Sequence, residues 1–147
     1  MIPKPAKRGR KPRKPVRRVR RTRPGVPSEK TLDDLARDLC RSRGVCEAAG
    51  WKQSACKGVI QWAHVISRQY RRNNLRWRMD NCLALCAGHH FRWTKKNEAE
   101  WSEFKRFKFG VDHLIGLERE ALYGEKADKH AALAYLLGLK AMRDNAL

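Results

Sequence analysis

The sequence predicts an α+β protein in which a small strand–loop–strand–helix unit with a structural zinc is flanked by helices and preceded by a disordered basic arm. Three observations predict this organisation. Two short stretches are rich in β-branched, aromatic and aliphatic residues, whereas four longer stretches have apolar residues at helical spacing. Cysteines and histidines lie at the junctions of the short stretches, and 147 residues suit one domain with a modest core.

The N-terminal arm, residues 1–27, is expected to be disordered. It holds twelve of the 34 Lys and Arg residues, all six prolines and no acid, and it has no apolar period. Within it, KRGRKPRK at residues 7–14 resembles an AT-hook, whose Arg-Gly-Arg core lies in the narrow minor groove of A/T-rich DNA. Arg8 and Arg10 would make those contacts, and plain attraction to phosphates is the alternative.

The formal charge of +19 predicts a polyanionic partner, with nucleic acid first. A nuclear-import signal, a membrane-surface tag or an arm like those of ribosomal proteins are the alternatives for its basic end. No apolar run reaches the roughly 18 residues of a membrane span, and the N-terminus lacks the apolar core of a signal peptide. We therefore expect a cytoplasmic protein whose five cysteines are thiols or metal ligands, not disulfides.

The elements before the C-terminal helices follow from local patterns. Residues 28–42 predict a helix that Thr31 caps, with Asp33 and Asp34 in its positive first turn and Cys40 buried as a small apolar side chain. Residues 57–66 predict a strand, 67–80 an exposed basic loop and 82–86 a second strand. A helix is expected to begin near Gly88.

Three further helices are predicted over residues 98–108, 111–123 and 128–145, separated near Gly110 and Gly124. Their apolar positions are expected to form core or partner-packing stripes. These positions are Trp101, Phe104, Phe107, Leu114, Leu117, Leu122, Leu133, Leu136, Leu137 and Met142.

Four side chains form a candidate structural zinc site: Cys46, Cys56, Cys86 and His89. Three thiolates and one imidazole make a chemically sound tetrahedral site, and a small core gains stability from such a cross-link. Nine residues separate the first two cysteines, so ordinary buried thiols remain the alternative for that pair. Cys82 has the strand parity of Cys86 and could compete for the ion, but core packing is its expected role.

Two histidines and one asparagine outside the candidate zinc site carry a family resemblance. WAHVISR contains His64, Asn81 of DNCLALC follows 17 residues later, and His90 follows nine residues after that. This order resembles the HNH nuclease motif, in the version found in bacteriophage HNH endonucleases. The resemblance implies a ββα-metal finger over about residues 45–97, within one domain of residues 28–147. His89 stands where that group commonly has a second cysteine.

The resemblance also implies roles. His64 would be the general base that deprotonates the attacking water, and Asn81 would hold the base in place. His90 would bind one divalent cation, with Mg²⁺ favoured and Mn²⁺, Ni²⁺ or Zn²⁺ tolerated. The implied activity is that of a DNA endonuclease or nickase in phage DNA processing, packaging or recombination, which leaves a 5′ phosphate and a 3′ hydroxyl.

One position departs from the family pattern. Many members place a further metal ligand directly before the base, where this chain has Ala63. Asp80, Asn97 and Glu98 are the candidates to replace it. The departure also favours a rival hypothesis, a zinc-stabilised DNA-binding or architectural protein with a decayed nuclease site. A third hypothesis is a packaging or recombination component whose nicking a partner directs.

The loop between the base and the asparagine is predicted to face DNA. Its arginines could neutralise phosphates, and Tyr70 or Trp77 could pack against a sugar or base. The alternative is a solvated loop whose aromatic side chains enter the core. The arginines are Arg68, Arg71, Arg72, Arg76 and Arg78.

Overall fold

The structure, a computed structural model, describes residues 25–68 and 74–146. Residues 1–24 of the predicted arm, with Arg8 and Arg10, lie outside the described residues, as do Tyr70, Arg71 and Arg72. No helix in the two described ranges is both long and apolar enough to cross a membrane. In chain order the elements are α1 (Glu29–Arg41), β1 (Ile60–His64), β2 (Cys82–Cys86), α2 (Ala87–Lys95), α3 (Glu98–Phe109), α4 (Val111–Tyr123) and α5 (Lys129–Asp144), with 3₁₀ turns at Trp51–Gln53 and Met79–Asn81.

The sheet consists of β1 and β2, paired antiparallel with Ile60 opposite Cys86 and His64 opposite Cys82. All five residues of β2 are buried, because CLALC has no polar side chain and both of its faces are covered. Leu83 and Leu85 enter one core, whereas Cys82 and Ala84 enter the other. The predicted second strand is therefore confirmed, and it is the element that joins the two cores.

The first core packs α2, α3 and α4 against the sheet. Trp93 of α2 lies at its centre, with its ring centroid 4.7 Å from that of Phe104 and 5.5 Å from that of Trp101. Leu117 of α4 closes this core on the far side. The packing fixes the start of α2 against the end of β2, where the candidate zinc ligands lie.

The second core packs α1 and α5 against the other face of the sheet, with Leu32, Leu39 and Leu136 buried. Cys40 is wholly buried here, as predicted, and burial raises the pKa of its thiol to about 11. Cys82 also packs in this core, where its sulfur accepts the indole N–H of Trp62 at 2.7 Å. Cys40 and Cys82 are thus core side chains, and neither belongs to the candidate zinc cluster.

Several predicted details differ from the structure. Ser28, not Thr31, caps α1, because the Ser28 Oγ accepts the Thr31 N–H at 3.0 Å. β1 is shorter than predicted, since the Val65 N–H and Ile66 N–H bond to Asn81 after the strand ends. Four predicted stripe positions are exposed by 48–71%: Phe107, Leu122, Leu137 and Met142. Of these, the Phe107 ring keeps a contact with the Trp51 ring, with the centroids 4.8 Å apart.

Candidate metal centre and histidine cleft

The four predicted zinc ligands come together although they lie on three separate stretches of the chain. Cys46 follows α1, Cys56 follows the turn Trp51–Gln53, Cys86 ends β2, and His89 lies in the first turn of α2. Their ligand atoms all lie within 4.8 Å of one another. The described residues thus contain a Cys₃His cluster that could hold a structural metal ion such as zinc.

The spacing of the cluster fits a tetrahedral ion. His89 Nδ1 lies 3.2 Å from Cys86 Sγ, 3.4 Å from Cys46 Sγ and 3.8 Å from Cys56 Sγ. With Zn–S bonds of about 2.3 Å and a Zn–N bond of about 2.0 Å, the sulfur–nitrogen edge of a tetrahedron is about 3.5 Å. The observed distances lie on both sides of this value, so the ion fits with small adjustments.

Backbone amides support negative charge on the sulfurs. Cys86 Sγ accepts the N–H groups of His89 and Lys57, each at 3.4 Å, and Cys46 Sγ accepts the Cys86 N–H at 3.2 Å. Although burial acts to raise it, these amide bonds hold the pKa of the Cys86 thiol below its usual value. Cys86 is also the N-cap of α2, so one side chain both starts the helix and faces the candidate ion.

Ser54 orients the imidazole of His89. Its Oγ donates to the Trp51 carbonyl at 2.7 Å and lies 2.6 Å from His89 Nε2. Because the hydroxyl proton is directed to that carbonyl, Oγ accepts from Nε2–H, and the lone pair of the ring is on Nδ1, facing the sulfurs. Sequence reasoning missed Ser54, since nothing in its local pattern marks a contact 35 residues away.

His64, the last residue of β1, is held by a backbone carbonyl. Its Nε2 donates to the Arg76 carbonyl at 3.0 Å, which leaves the lone pair on Nδ1. The Trp62 ring packs 4.3 Å from its centroid. Burial lowers the pKa of His64 below its ordinary value of 6.5, so the imidazole is neutral at pH 7 and can accept a proton.

Asn81 is wholly buried and ties together the two ends of the loop between the strands. Its Oδ1 accepts the Ile66 N–H at 2.8 Å, and its Nδ2 donates to the carbonyls of Ile66 and Leu75, both at 3.1 Å. Ile66 lies two residues after His64, and Leu75 precedes the residue whose carbonyl holds His64. The amide therefore fixes the backbone on both sides of that histidine.

His90 contacts a different partner from its neighbour His89. Its Nδ1 lies 2.8 Å from Gln61 Oε1 on β1. Nδ1 donates this bond, because the amide oxygen can only accept, so the lone pair of the ring is on Nε2. Burial lowers the pKa of His90, which favours the neutral form that a metal ligand requires. Gln61 is a second residue that sequence reasoning missed, since it lies in the middle of an apolar strand.

His64 and His90 line the same open space. A cleft of about 1000 Å³ between the sheet and helices α3 and α4 is lined by Gln61, His64 and His90 on one side. An adjoining cleft of about 320 Å³ shares these three residues and reaches α1. His64 and His90 thus stand where the two clefts meet, and Asn81 lies buried behind them.

The predicted DNA-contacting residues of the loop divide into two groups. Arg68 is exposed and lines both clefts. Arg76 instead makes a two-pronged pair with Asp33 at 3.0 and 2.7 Å, and Trp77 is 3% exposed with its indole N–H on Asp33 at 2.9 Å. Arg78 pairs with Asp80 and Glu120. The three later residues therefore hold the loop to α1 and α4, and their contact with DNA stays a prediction.

The residues predicted as further metal ligands also have different surroundings in the structure. Ala63 is 1% exposed and packs in the core, so its position supplies no ligand. Asp80 is paired with Arg78, and Asn97 caps α3 through the Glu100 N–H at 3.1 Å. Glu98 lines the larger cleft with His90. Among residues 25–68 and 74–146, the Cys₃His cluster is the one group of three or more such side chains close enough to share an ion.

Comparison with protein-family models, with curated proteins and with solved structures gave no match for this chain. The interpretation of the cluster and the cleft therefore rests on their own geometry.

Proposed function

We propose that this protein is a metal-dependent DNA endonuclease or nickase of the HNH type, with β1, β2 and α2 as its ββα-metal finger. The observation that carries the proposal is the convergence of His64 and His90 on one cleft, with Asn81 buried behind the loop that joins them. The order of these residues along the strand–strand–helix unit is that of the HNH motif. The strongly basic composition supports a polyanionic substrate.

His64 acts as the general base. Its neutral imidazole presents Nδ1 as the acceptor because Nε2 is bonded to the Arg76 carbonyl. The oxygen of the attacking water forms the new bond to phosphorus, the P–O3′ bond breaks, and the water proton moves to Nδ1. The departing O3′ takes a proton from solvent, which leaves a 5′ phosphate and a 3′ hydroxyl. Asn81 positions the base through the backbone and does not touch the substrate.

His90 would hold the divalent cation through its imidazole, which the Gln61 contact at Nδ1 orients. The chemistry that such a cation would supply is positive charge to stabilise the phosphate in the transition state. Of the residues predicted as further metal ligands, Glu98 is the one that lines the larger cleft. A single imidazole with oxygen donors suits Mg²⁺ first and also tolerates Mn²⁺, Ni²⁺ or Zn²⁺.

The Cys₃His cluster serves stability rather than chemistry in this proposal. All four of its positions are protein side chains, which is the pattern of a closed structural zinc site. The ion would fasten the start of α2 to the chain before β1, and so it would set the direction in which His90 faces.

A zinc-stabilised DNA-binding or architectural protein is the second candidate. The observation that favours it is Ala63, a buried core residue at the position where many HNH enzymes have a metal ligand. In that case the basic surface would bind DNA, and His64 and His90 would not act on it.

The ends of the products test the nuclease proposal. A duplex labelled at either end is incubated with the protein and Mg²⁺ or Mn²⁺, and the fragments are treated with ligase or phosphatase. We expect fragments with a 5′ phosphate and a 3′ hydroxyl that ligase can rejoin. Fragments with a 3′ phosphate would contradict the proposed step, and an intact but bound duplex would favour the second candidate.

A further inference from the structure

The smaller cleft has a wall that the proposed nuclease chemistry does not explain. Beside Gln61, His64 and His90 it is lined by Arg37 and Arg41 of α1, together with Trp62 and Arg68. No acid is among its described lining residues. Three cationic side chains therefore face a space of about 320 Å³ that adjoins both histidines.

The acids of α1 cancel only part of the charge of this wall. Asp38 pairs with Arg143 at 3.0 Å, and Asp33 with Arg76 at 2.7 Å. Glu29 is held by Arg76 and Lys129. The four acids of α1 are thus all occupied, since the remaining one, Asp34, lies between two cations.

Asp34 accepts from both Lys30 and Arg37, at 2.7 and 2.6 Å, so one carboxylate serves two positive groups. The Arg37 side chain remains 40% exposed. Within the described ranges neither Arg41 nor Arg68 is ion-paired with a carboxylate, and both are exposed. The wall therefore carries a net positive charge that is open to a ligand.

The other side of the histidines has a balanced charge. There the larger cleft is lined by the carboxylates of Glu98 and Glu118 together with Lys105 and the shared Arg68. The smaller cleft has three guanidinium groups and no carboxylate among its described lining residues, and guanidinium groups bind phosphates with paired N–H donors. The charges on the two sides thus direct a polyanion towards α1.

The spacing on α1 suits a nucleic acid strand. Arg37 and Arg41 are four residues apart, so they share one helix face and are separated by about 6 Å along its axis. Successive phosphates of one DNA strand are about 3.4 Å apart along the duplex axis, so two guanidinium groups at this spacing can reach nearby phosphates of one strand.

We propose that Arg37, Arg41 and Arg68 form a phosphate-binding wall that holds one DNA strand on the α1 side of His64 and His90. The proposal rests on the proposed nuclease function for the identity of the polyanion as DNA. It assigns to α1 a part in substrate binding, with Arg68 as the single described loop arginine that shares it.

The test is the salt dependence of DNA binding by the full chain, loaded with zinc and without added Mg²⁺. The association constant for a fluorescent duplex is measured for wild type and for the double variant Arg37→Ala/Arg41→Ala. Each lost phosphate contact lowers the slope of log K against log salt by about 0.9. We expect the slope of the double variant to be shallower by about two. Circular dichroism and zinc content check that the variant is folded.

Two further variants complete the design. Arg106→Ala/Arg119→Ala removes the same charge from helices α3 and α4, at positions that line neither cleft, and should keep the wild-type slope. Arg37→Lys/Arg41→Lys keeps the charge and should restore most of the slope. A double Ala variant with the wild-type slope, or with no more effect than the control pair, overturns the wall. If the wild type does not cut DNA but its slope of log K against log salt still depends on Arg37 and Arg41, the phosphate-binding wall is supported and the nuclease proposal is contradicted.

Discussion

His89 and His90 are joined by one peptide bond, yet their rings belong to different sites. Nδ1 of His89 lies 3.2 Å from Cys86 Sγ, whereas Nδ1 of His90 lies 2.8 Å from Gln61 Oε1 on the neighbouring strand. Consecutive residues of a helix point about 100° apart, so the first turn of α2 can present one ring to each site. The following predictions depend on this division.

Elemental analysis of the purified protein should find about one tightly bound zinc per chain. His89→Ala should lose the zinc and unfold, because the metal supplies folding free energy in a domain of this size. His90→Ala should keep the zinc and the fold and lose cleavage. Cys82→Ala is the matched cysteine control and should keep its zinc. Zinc loss in His90→Ala with zinc retained in His89→Ala would reverse the assignment.

Ser54→Ala should weaken zinc binding without removing a ligand. The hydroxyl accepts the Nε2–H of His89, so its loss leaves the ring without the contact that fixes its orientation. Partners of this kind typically contribute about 10- to 100-fold in metal affinity. Competition with a chromogenic chelator measures the change. Ser102→Ala on α3 serves as the control, and equal affinities for the two variants would argue against the role of Ser54.

Asn81→Ala should destabilise the fold by about 2–4 kcal/mol, since it removes the Asn81 bonds to the N–H and carbonyl of Ile66 and one of the two hydrogen bonds to the Leu75 carbonyl. Asn81→Asp should be at least as harmful, because a carboxylate would face the carbonyls of Ile66 and Leu75. Urea unfolding gives the free energies. The exposed Asn145→Ala should change stability by less than about 0.5 kcal/mol. A stable Asn81→Ala protein would mean that the loop is held by other contacts.

The pKa of His64 predicts a direction for the pH dependence. Burial lowers this pKa below 6.5, and the neutral imidazole is the form that accepts a proton. Cleavage should therefore be constant near pH 7 and fall only as the pH drops below 6.5. Stability should fall in the same range, because the unfolded chain binds the proton more tightly than the folded chain. An NMR titration of the His64 ring, identified through His64→Gln, measures the pKa directly, and a value above 6.5 would contradict this prediction.

The sequence predicts the elements well where one local pattern decides them. CLALC is apolar throughout and forms β2, and the glycines at 110 and 124 flank α4 at the predicted bounds. The members of the Cys₃His cluster were also identifiable, since thiols and an imidazole at strand and helix ends are typical of a metal site. The N-cap of α1 could not be identified from the sequence, because Ser28 and Thr31 are equally good capping residues.

The contacts between distant segments could not be predicted. Ser54 and Gln61 have roles only because α2 is brought against them. Arg76 and Arg78 lie in an arginine-rich loop of the kind that binds phosphates. In the structure they instead form ion pairs with acids of α1 and α4. Helical spacing likewise marks Met142 as apolar-facing without indicating whether a neighbour covers it, and it is 70% exposed.

Plasmid cleavage tests whether His64 is the general base of a nuclease. Supercoiled DNA is incubated with zinc-loaded wild type and with His64→Ala, in Mg²⁺, Mn²⁺ and Ni²⁺, while binding is followed in parallel by gel shift. We expect wild type to convert the plasmid to nicked or linear forms, and His64→Ala to bind equally well but leave it supercoiled. If both proteins bind and neither cuts with any metal, or if both cut at the same rate, then His64 is not the base of a nuclease.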